Sequence, residues 1–594
     1  MCGIIGFIGD REAAPVVLDA LKKLEYRGYD SAGLATSGNG SGSISLRKGV
    51  GRLEQVQKQH RLDSAPGKVG IGHVRWATHG GVTDKNAHPH LDCQGEIAIV
   101  HNGIIENYRQ LRSSLEERGH SFISDTDSEV ISHLIEEHLN GNGTSLEEAA
   151  LKASRELKGS YAVLVISSKE PGKIVALRKD SPLAIGVGKG GNFVASDALC
   201  FLSEASDVIY AEDGETAIIT RNKVSLLDAE GTLINRSPQH IDIKWNDVSK
   251  QGQDHFMLKE ILEQPESVRH ALMQDKEKIT KMAKAIKESG QVVITACGTS
   301  RYAALIGRYA FSKLAGRLSE VVMGSEFGYF SDSIDKDTLV VAISQSGETA
   351  DIIQGVKKAK DKGATIFSLV NVVGSTLARM SDEVLYLNCG PEVGVAATKS
   401  FVSQLAVLYL LAFAAVNRLE EGTESLKRVS YSINKILDEN GKKLTKLAGA
   451  LKKKEDFYYI ARGINFAIAG EGALKLKEIS YIHAEGLPAG ELKHGTLALI
   501  EKGTPVVVIC PRDYTYNETI ANAAETRARG AFVIGVSDKP DEVFNEWIKI
   551  PEVEELFYPL VSIIPLQLLA YYLATARGLD PDKPRNLAKS VTVL

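Results

Sequence analysis

The stretch VVITACGTSRYAALIGRYAF (292–311) reads as a buried β-strand, a turn at Gly298 and a helix, because a β-branched run gives way to alanine and leucine at helical spacing. FYYIARGINFAIAGEGALKL (457–476) reads the same way around Gly463, 165 residues farther on. LVVAIS (339–344) aligns with PVVVIC (505–510) and KGATIFSLV (362–370) with RGAFVIGVS (529–537), at offsets of 166 and 167. Three blocks at nearly one offset mark an internal repeat. The C-terminal half therefore predicts two copies of one βαβ domain, 253–425 and 426–575, followed by a tail over 576–594.

Upstream, short alternating segments at 68–73, 96–101, 162–167 and 216–220 predict strands, and 14–24 and 128–138 predict helices. This is a layered α and β domain over 1–240, joined to the repeats by a polar, aperiodic linker at 241–252. The 594 residues are 43% hydrophobic and 24% charged, an ordinary globular composition. Lys and Arg number 70 against 75 Asp and Glu, a net charge of −5 that gives no field for nucleic acid or an anionic membrane. The six cysteines are scattered, with no CxxC pair, and the N-terminus lacks a basic leader, so a cytoplasmic location is expected. Two apolar stretches, 404–416 and 556–574, read as buried helices, the first too short to span a bilayer and the second broken by Pro559 and Pro565.

In open parallel sheets, ligands bind beyond the carboxyl ends of the strands, where helix N-termini expose N–H groups. Gly298, Thr299 and Ser300 follow one such strand; Ser344, Gln345, Ser346, Gly347, Glu348 and Thr349 follow another. Any one of these hydroxyls alone would be a helix cap. Together they predict a phosphate nest. The second copy has CPRDYTYNET where the first has SQSGET, so one phosphate site per chain is expected. No GK pair is followed by Ser or Thr, which disfavours a nucleotide P-loop, and GVGKGG (186–191) reads as a glycine-rich hairpin. There is no HExxH and no sequence cluster of His and Cys, so neither metal nor cofactor is expected.

Cys2 follows the initiator Met. Removal of Met1 would place a thiol and a free α-amino group on one residue, and that amine, with a pKa of about 8, can serve as the thiol's own base.

CGIIGFIG (2–9), YRGYDSAG (26–33), HVRWATHG (73–80), NAHPH (86–90), HNGIIENY (101–108) and SDTDSE (124–129) resemble the glutaminase domain of class II glutamine amidotransferases, an N-terminal-nucleophile fold. CGTS, SQSGET, EVGVAATKSF (392–401), EGALKLKEISYIHAE (471–485), GELKHG (490–495) and PRNLAKSVTV (584–593) resemble sugar isomerase (SIS) domains. The resemblance runs end to end and implies a multidomain α/β chain: a four-layer αββα glutaminase, then two αβα sugar isomerase domains. It implies hydrolysis of L-glutamine at Cys2 and transfer of the ammonia to fructose 6-phosphate, with ketose–aldose isomerisation to glucosamine 6-phosphate.

In the glutaminase it implies Asn102 and the Gly103 N–H as oxyanion donors, Arg75 on the glutamine carboxylate, Asp127 on its ammonium, Thr78 and His79 lining the pocket, and Trp76 as gate. In the isomerase it implies Gly298, Thr299, Ser300, Ser344, Gln345, Ser346, Thr349 and Val395 as sugar-phosphate contacts. Lys589 would form the Schiff base, Glu478 shuttle the proton, Lys475 assist, and His494 open the ring. From spacing alone, Lys475 and Glu478 are a surface pair at i, i+3 and Arg75 a surface cation. A homodimer is implied, because such sites are completed by a histidine of the neighbouring subunit. Thr496 stands where the commonest form has proline.

A glutamine amidotransferase with another phosphosugar acceptor remains the alternative. A diphosphate-sugar acceptor domain would show an acidic loop where SQSGET stands, and a sugar-phosphate-sensing regulator would carry a basic helix-turn-helix in place of the glutaminase.

Overall fold

Along strand Gly3–Gly9 the side chains alternate between two buried faces: Ile4 and Ile8 join one apolar cluster, Ile5 and Phe7 another. Strand Gly159–Ser167 repeats the pattern, with Ala162, Leu164 and Ile166 in the first cluster and Tyr161, Val163 and Val165 in a third. Strands buried on both faces require a layer on each side. The shared cluster fills the space between an eight-stranded and a seven-stranded antiparallel sheet. Helices Ala13–Leu24 and Leu53–His60 pack on the outer face of the first sheet, Glu129–Leu139 and Leu146–Glu156 on that of the second. The result is the four-layer αββα arrangement.

The structure, a computed structural model, describes residues 2–38, 43–139, 143–241 and 249–592. The chain forms two compact units, Met1–Asp247 with Ser590–Leu594 and Val248–Lys589. Met1, whose removal is expected, and most of the expected linker (242–248) lie outside the described residues.

Three helices of the first unit escape the sequence reading. Leu53–His60 buries only Leu53 and Val56, and Tyr108–Glu117 only Leu115, so neither shows an apolar stripe. Leu146–Glu156 buries three alanines among its five core residues, which flattens the contrast, although Ser145 and Glu148 close a capping box before it. The glycine-rich hairpin is present: Ala184–Gly188 pairs antiparallel with Gly191–Ala195.

In the second unit, strands Gln291–Ala296, Glu320–Met323, Thr338–Ser344, Thr365–Val370 and Glu383–Tyr386 form a parallel sheet in the order 2-1-3-4-5. Asp456–Ala461, His483–Pro488, Pro505–Ile509, Phe532–Ser537 and Glu546–Lys549 form a second sheet in the same order. The glycine after each first strand, Gly298 and Gly463, takes a positive φ (52° and 56°) that an L side chain rarely adopts. Both apolar stretches are helices buried in a single core between the two sheets, Lys399–Ala414 and Tyr558–Ala576. Contrary to expectation Pro565 does not break the second: the helix runs through it, held by burial of nearly all its side chains, while Pro559 sits in the first turn, where its missing N–H costs nothing. The division expected at 425/426 falls inside the 33-residue helix Leu419–Leu451.

Candidate active sites

HVRWATHG leaves strand Val69–Arg75 beside Cys2. The Trp76 N–H donates to Cys2 Sγ (3.3 Å), and the thiol donates to the Trp76 carbonyl (3.4 Å). Asn102, on strand Ile97–Ile105, donates from Nδ2 to the Cys2 carbonyl (2.9 Å), and its buried Oδ1 has no hydrogen-bond partner. Gly103 takes φ +129°, and a Cβ there would lie 2.0 Å from the Ser160 carbonyl oxygen, so only glycine fits.

Arg75 is buried, not a surface cation, and its guanidinium donates to the carbonyls of His79 (2.5 Å), Gly80 (3.2 Å) and Gly81 (3.2 Å), curling the loop into a cup. YRGYDSAG braces that cup from outside. The Ala77 N–H donates to Asp30 Oδ2 (2.9 Å), the Asp30 N–H to the Arg75 carbonyl (3.0 Å), and a Cβ on Gly28 would meet the Arg75 backbone at 2.7 Å. Asp127 is buried and accepts the Ile105 N–H (2.8 Å). Trp76 and His79 are half-buried, each edge-on to a tyrosine, Tyr29 and Tyr108, while Thr78 is exposed. His88 of NAHPH stacks on His73 and meets His90 edge-on in a buried row, and burial holds all three imidazoles well below their ordinary pKa, hence neutral. Burial also pushes the Cys2 thiol up, so the resting sulfur is protonated and needs a base before it can attack.

In the second unit, strands Gln291–Ala296 and Thr338–Ser344 are neighbours whose onward connections lead to opposite sides of the sheet. Their carboxyl ends form a topological switch point. Thr299 and Ser300 open helix Gly298–Ala315 there, and residues 345–349 lead into helix Ala350–Asp361. Ser344 Oγ accepts the Gly347 N–H (3.0 Å) and lies 3.2 Å from Thr349 Oγ1; Ser346 Oγ accepts the Glu348 N–H (3.2 Å). Thr349 occupies the N-cap position without a side-chain capping bond, so its hydroxyl is not used as a cap. Gly347 has φ +66°, and a Cβ would strike Ser375 Oγ at 2.1 Å. The Glu348 carboxylate is occupied by the Thr376 N–H (2.7 Å). Gln345 is half-buried, and Ser300 Oγ accepts from Gln404 Nε2 (2.9 Å).

Helix Phe466–Ser480, from the second copy, reaches this point. Lys475 is fully buried, not a surface residue, with Nζ 2.6 Å from Glu478 Oε2, 2.9 Å from Thr299 Oγ1 and 3.5 Å from Glu471 Oε1. Thr299 Oγ1 also lies 3.1 Å from Glu471 Oε1. Burial pushes Glu471 up to about 8 against the pull of Lys475, while the two carboxylates, overcoming burial, raise Lys475.

Lys589 Nζ lies 2.6 Å from Glu392 Oε2. Glu392 is buried and also accepts the N–H groups of Thr398 (2.9 Å) and Ser400 (3.0 Å) and the Ser400 hydroxyl (2.8 Å). Burial would raise its pKa, but Lys589 and these donors hold it at about 2. Glu260 takes the N–H groups of Val393 (2.5 Å) and Gly394 (3.1 Å), and burial, opposed by Lys589, pushes it up to about 7. The tail that carries Lys589 is pinned by Asp582, whose carboxylate accepts the Phe256 and Met257 N–H groups (2.7 and 2.8 Å) and whose carbonyl accepts the half-buried Val395 N–H (3.4 Å). The Arg585 N–H adds a bond to Tyr481 Oη (2.7 Å).

His494, at the end of the short helix Ala489–His494, is exposed and is not brought to this cluster. Glu260, Glu392 and Glu471 were missed in the sequence. Glu471 lies four residues before Lys475 and Glu392 opens EVGVAATKSF, signals that were present; Glu260 carries none. One expectation is corrected in space: Cys93, His120, His133 and Glu136, far apart in sequence, do form a cluster.

A glutamine amidotransferase domain family matches residues 73–203, and the SIS domain family matches 285–414 and 450–577. Over the full length of both chains, the sequence is 48% identical to a glutamine–fructose-6-phosphate aminotransferase (isomerizing) from Thermococcus kodakarensis and 47% identical to one from Methanothermobacter thermautotrophicus. Among solved structures, the C-terminal domain of glucosamine-fructose-6-phosphate aminotransferase from Francisella tularensis superposes with a TM-score of 0.53 at 35% identity, covering 57% of this chain and 100% of that one. The chain belongs to the isomerizing glutamine–fructose-6-phosphate aminotransferase family.

Proposed function

We infer that the chain hydrolyses glutamine at Cys2 and passes the ammonia to fructose 6-phosphate, with ketose–aldose isomerisation, giving glutamate and glucosamine 6-phosphate. The observation that carries this reading is the buried Lys475–Glu478 pair held against Thr299, which puts a proton-transfer group beside a neutral hydroxyl and N–H cradle suited to a phosphate.

In the first unit the Cys2 α-amine takes the thiol proton and the sulfur attacks the glutamine side-chain carbonyl. Asn102 Nδ2 and the Gly103 N–H stabilise the oxyanion. Arg75 holds the α-carboxylate and Asp127 the α-ammonium. Trp76 gates the pocket, and Thr78 and His79 line it. Loss of ammonia leaves a thioester, which water cleaves to glutamate.

In the second unit Ser344, Gln345, Ser346 and Thr349 bind the phosphate, with Gly298, Thr299, Ser300 and Val395 around the sugar. Lys589, once deprotonated, condenses with the C2 ketone and water leaves; ammonia then replaces the lysine, and Glu478 moves the proton between C1 and C2 with Lys475 beside it. The exposure of His494 supports a ring-opening role in a second copy of the chain, and hence a homodimer. No nucleic acid, membrane or cofactor enters the scheme, and the reaction belongs in the cytoplasm.

Cys2→Ala tests the separation of the two chemistries. It should abolish glutamine-dependent synthesis and leave conversion of fructose 6-phosphate to glucose 6-phosphate within about twofold of the parent, since the Glu478 proton shuttle needs no nucleophile from the other unit. Equal loss of both activities would overturn the scheme.

A further inference from the structure

Three separate pieces of chain meet at one edge of the N-terminal unit: the turn after strand His90–Leu91 brings Cys93, the loop before Asp127 brings His120, and helix Glu129–Leu139 brings His133 and Glu136. The donor atoms of these four residues all lie within 4.8 Å of one another. Cys93 Sγ is 3.6 Å from His120 Nδ1 and 3.4 Å from His133 Nδ1, and Glu136 Oε2 is 3.0 and 3.1 Å from the same two nitrogens.

Tetrahedral zinc with ordinary bond lengths separates sulfur from nitrogen by about 3.6 Å and nitrogen from oxygen by about 3.4 Å. The sulfur edges already match, and the oxygen edges need to open by only a few tenths of an ångström. Internal hydrogen bonding does not exhaust this arrangement. Both Nδ1 atoms converge on the same carboxylate oxygen and on the same sulfur, and each neutral ring nitrogen can serve only one of them with one proton. A cation at the centre satisfies all four.

The surroundings fit the same assignment. His120 Nε2 lies 2.7 Å from Glu137 Oε2, and His133 Nε2 lies 3.8 Å from Glu129 Oε1. Glu129 is itself fixed by the Ile123 N–H (2.8 Å) and by the Ser124 N–H and hydroxyl (2.7 Å each). The Glu137 carboxylate behind His120 turns its Nδ1 toward the centre and raises its basicity, and Glu129 lies behind His133 beyond hydrogen-bond distance. His133 is buried and Cys93 exposed, so an ion can enter from the sulfur side.

We propose that Cys93, His120, His133 and Glu136 form a zinc site of structural type. Thiolate and carboxylate supply two negative charges to balance the dication, the thiol proton leaves to solvent on binding, and a donor set of one sulfur, two imidazoles and one carboxylate selects zinc over magnesium or calcium. Asp127 sits between His120 and His133, so the ion fastens both flanks of the segment that carries it.

The test uses the purified full-length chain, loaded with zinc, dialysed, and measured by plasma mass spectrometry. About one zinc per chain should remain. The paired variant Cys93→Ser with His120→Asn should retain little, and its circular dichroism spectrum checks that it folds. Glu137→Gln should weaken zinc by about 10–100-fold without abolishing binding. Cobalt in place of zinc should give tetrahedral visible bands with a thiolate charge-transfer band that Cys93→Ser removes. A parent chain that retains no zinc, a folded paired variant that keeps parent stoichiometry and affinity, or cobalt bound without the thiolate band would each overturn the assignment.

Discussion

The two parallel sheets of the C-terminal unit share a strand order and a left-handed glycine after their first strands, yet their switch points carry opposite chemistry. In the first copy the loop after Ser344 carries the hydroxyls of Ser344, Ser346 and Thr349, and its one carboxylate, Glu348, is turned onto the Thr376 N–H (2.7 Å). In the second copy Asp513 stands in the corresponding loop, its carboxylate already bonded by Asn465 Nδ2 (2.8 Å), the Thr515 N–H (2.8 Å) and the Thr515 hydroxyl (2.7 Å). The hydroxyl and N–H of Thr515 are thus spent on a carboxylate of their own loop, whereas Thr349 makes no side-chain capping bond.

The second copy instead supplies a buried charged cluster. Its first helix carries Glu471, Lys475 and Glu478 across to Thr299, on the equivalent helix of the first copy. The two helices approach so closely at Gly470 that a Cβ there would lie 2.2 Å from the Tyr302 ring. In the proposed scheme one helix binds the sugar phosphate while its twin supplies the proton-transfer groups.

The largest effect expected from breaking this contrast is on sugar affinity. Ser346→Ala with Thr349→Ala removes two charge-assisted hydrogen bonds worth about 1.5–3 kcal/mol each, so the fructose 6-phosphate KM should rise by about a hundredfold or more while glutamine hydrolysis without sugar stays unchanged. Asp513→Ala with Thr515→Ala, the mirrored change in the second copy, should leave KM alone. Steady-state kinetics decide, and equal KM shifts from both pairs would erase the distinction between the copies.

A smaller effect concerns stability. The folded protein keeps Glu471 protonated up to about pH 8, whereas the unfolded chain releases that proton near 4.5, so unfolding gains ground as pH rises across this window. Glu471→Gln removes that loss. Its unfolding temperature relative to the parent should therefore climb between about pH 4.5 and 8 and level off above. A difference that does not change with pH would mean that Glu471 is not held neutral.

Much of the fold is legible in the sequence alone. The repeat is legible because β-branched runs, glycines and small-residue helices recur in register, and the hydroxyl-rich turns are legible because Ser and Thr concentrate at strand ends. The roles proposed for Lys475 and Lys589 are legible only through resemblance. Spacing places Lys475 on a surface, whereas its amine is in fact buried against Thr299 on helix Gly298–Ala315 of the first copy, and the tail has no periodicity at all. Glu260 was illegible, since a lone glutamate in an amphipathic helix gives no sign that Val393 and Gly394 will fold onto it. The Cys93 cluster was hidden for a simpler reason, because its ligands come from three elements and only His133 and Glu136 share helical spacing. Helix Leu419–Leu451 concealed the join between the copies by running straight through it.

The central claim is that both copies and the tail build one sugar site, with the amine of Lys589 at its centre. Reduction with borohydride in the presence of fructose 6-phosphate, followed by peptide mass mapping, tests it most directly. The account predicts a hexitol phosphate adduct on Lys589 alone, lost in the Ser346→Ala, Thr349→Ala variant and kept in the Asp513→Ala, Thr515→Ala variant. An adduct on another lysine, or one that follows the second copy's loop instead of the first's, would contradict it.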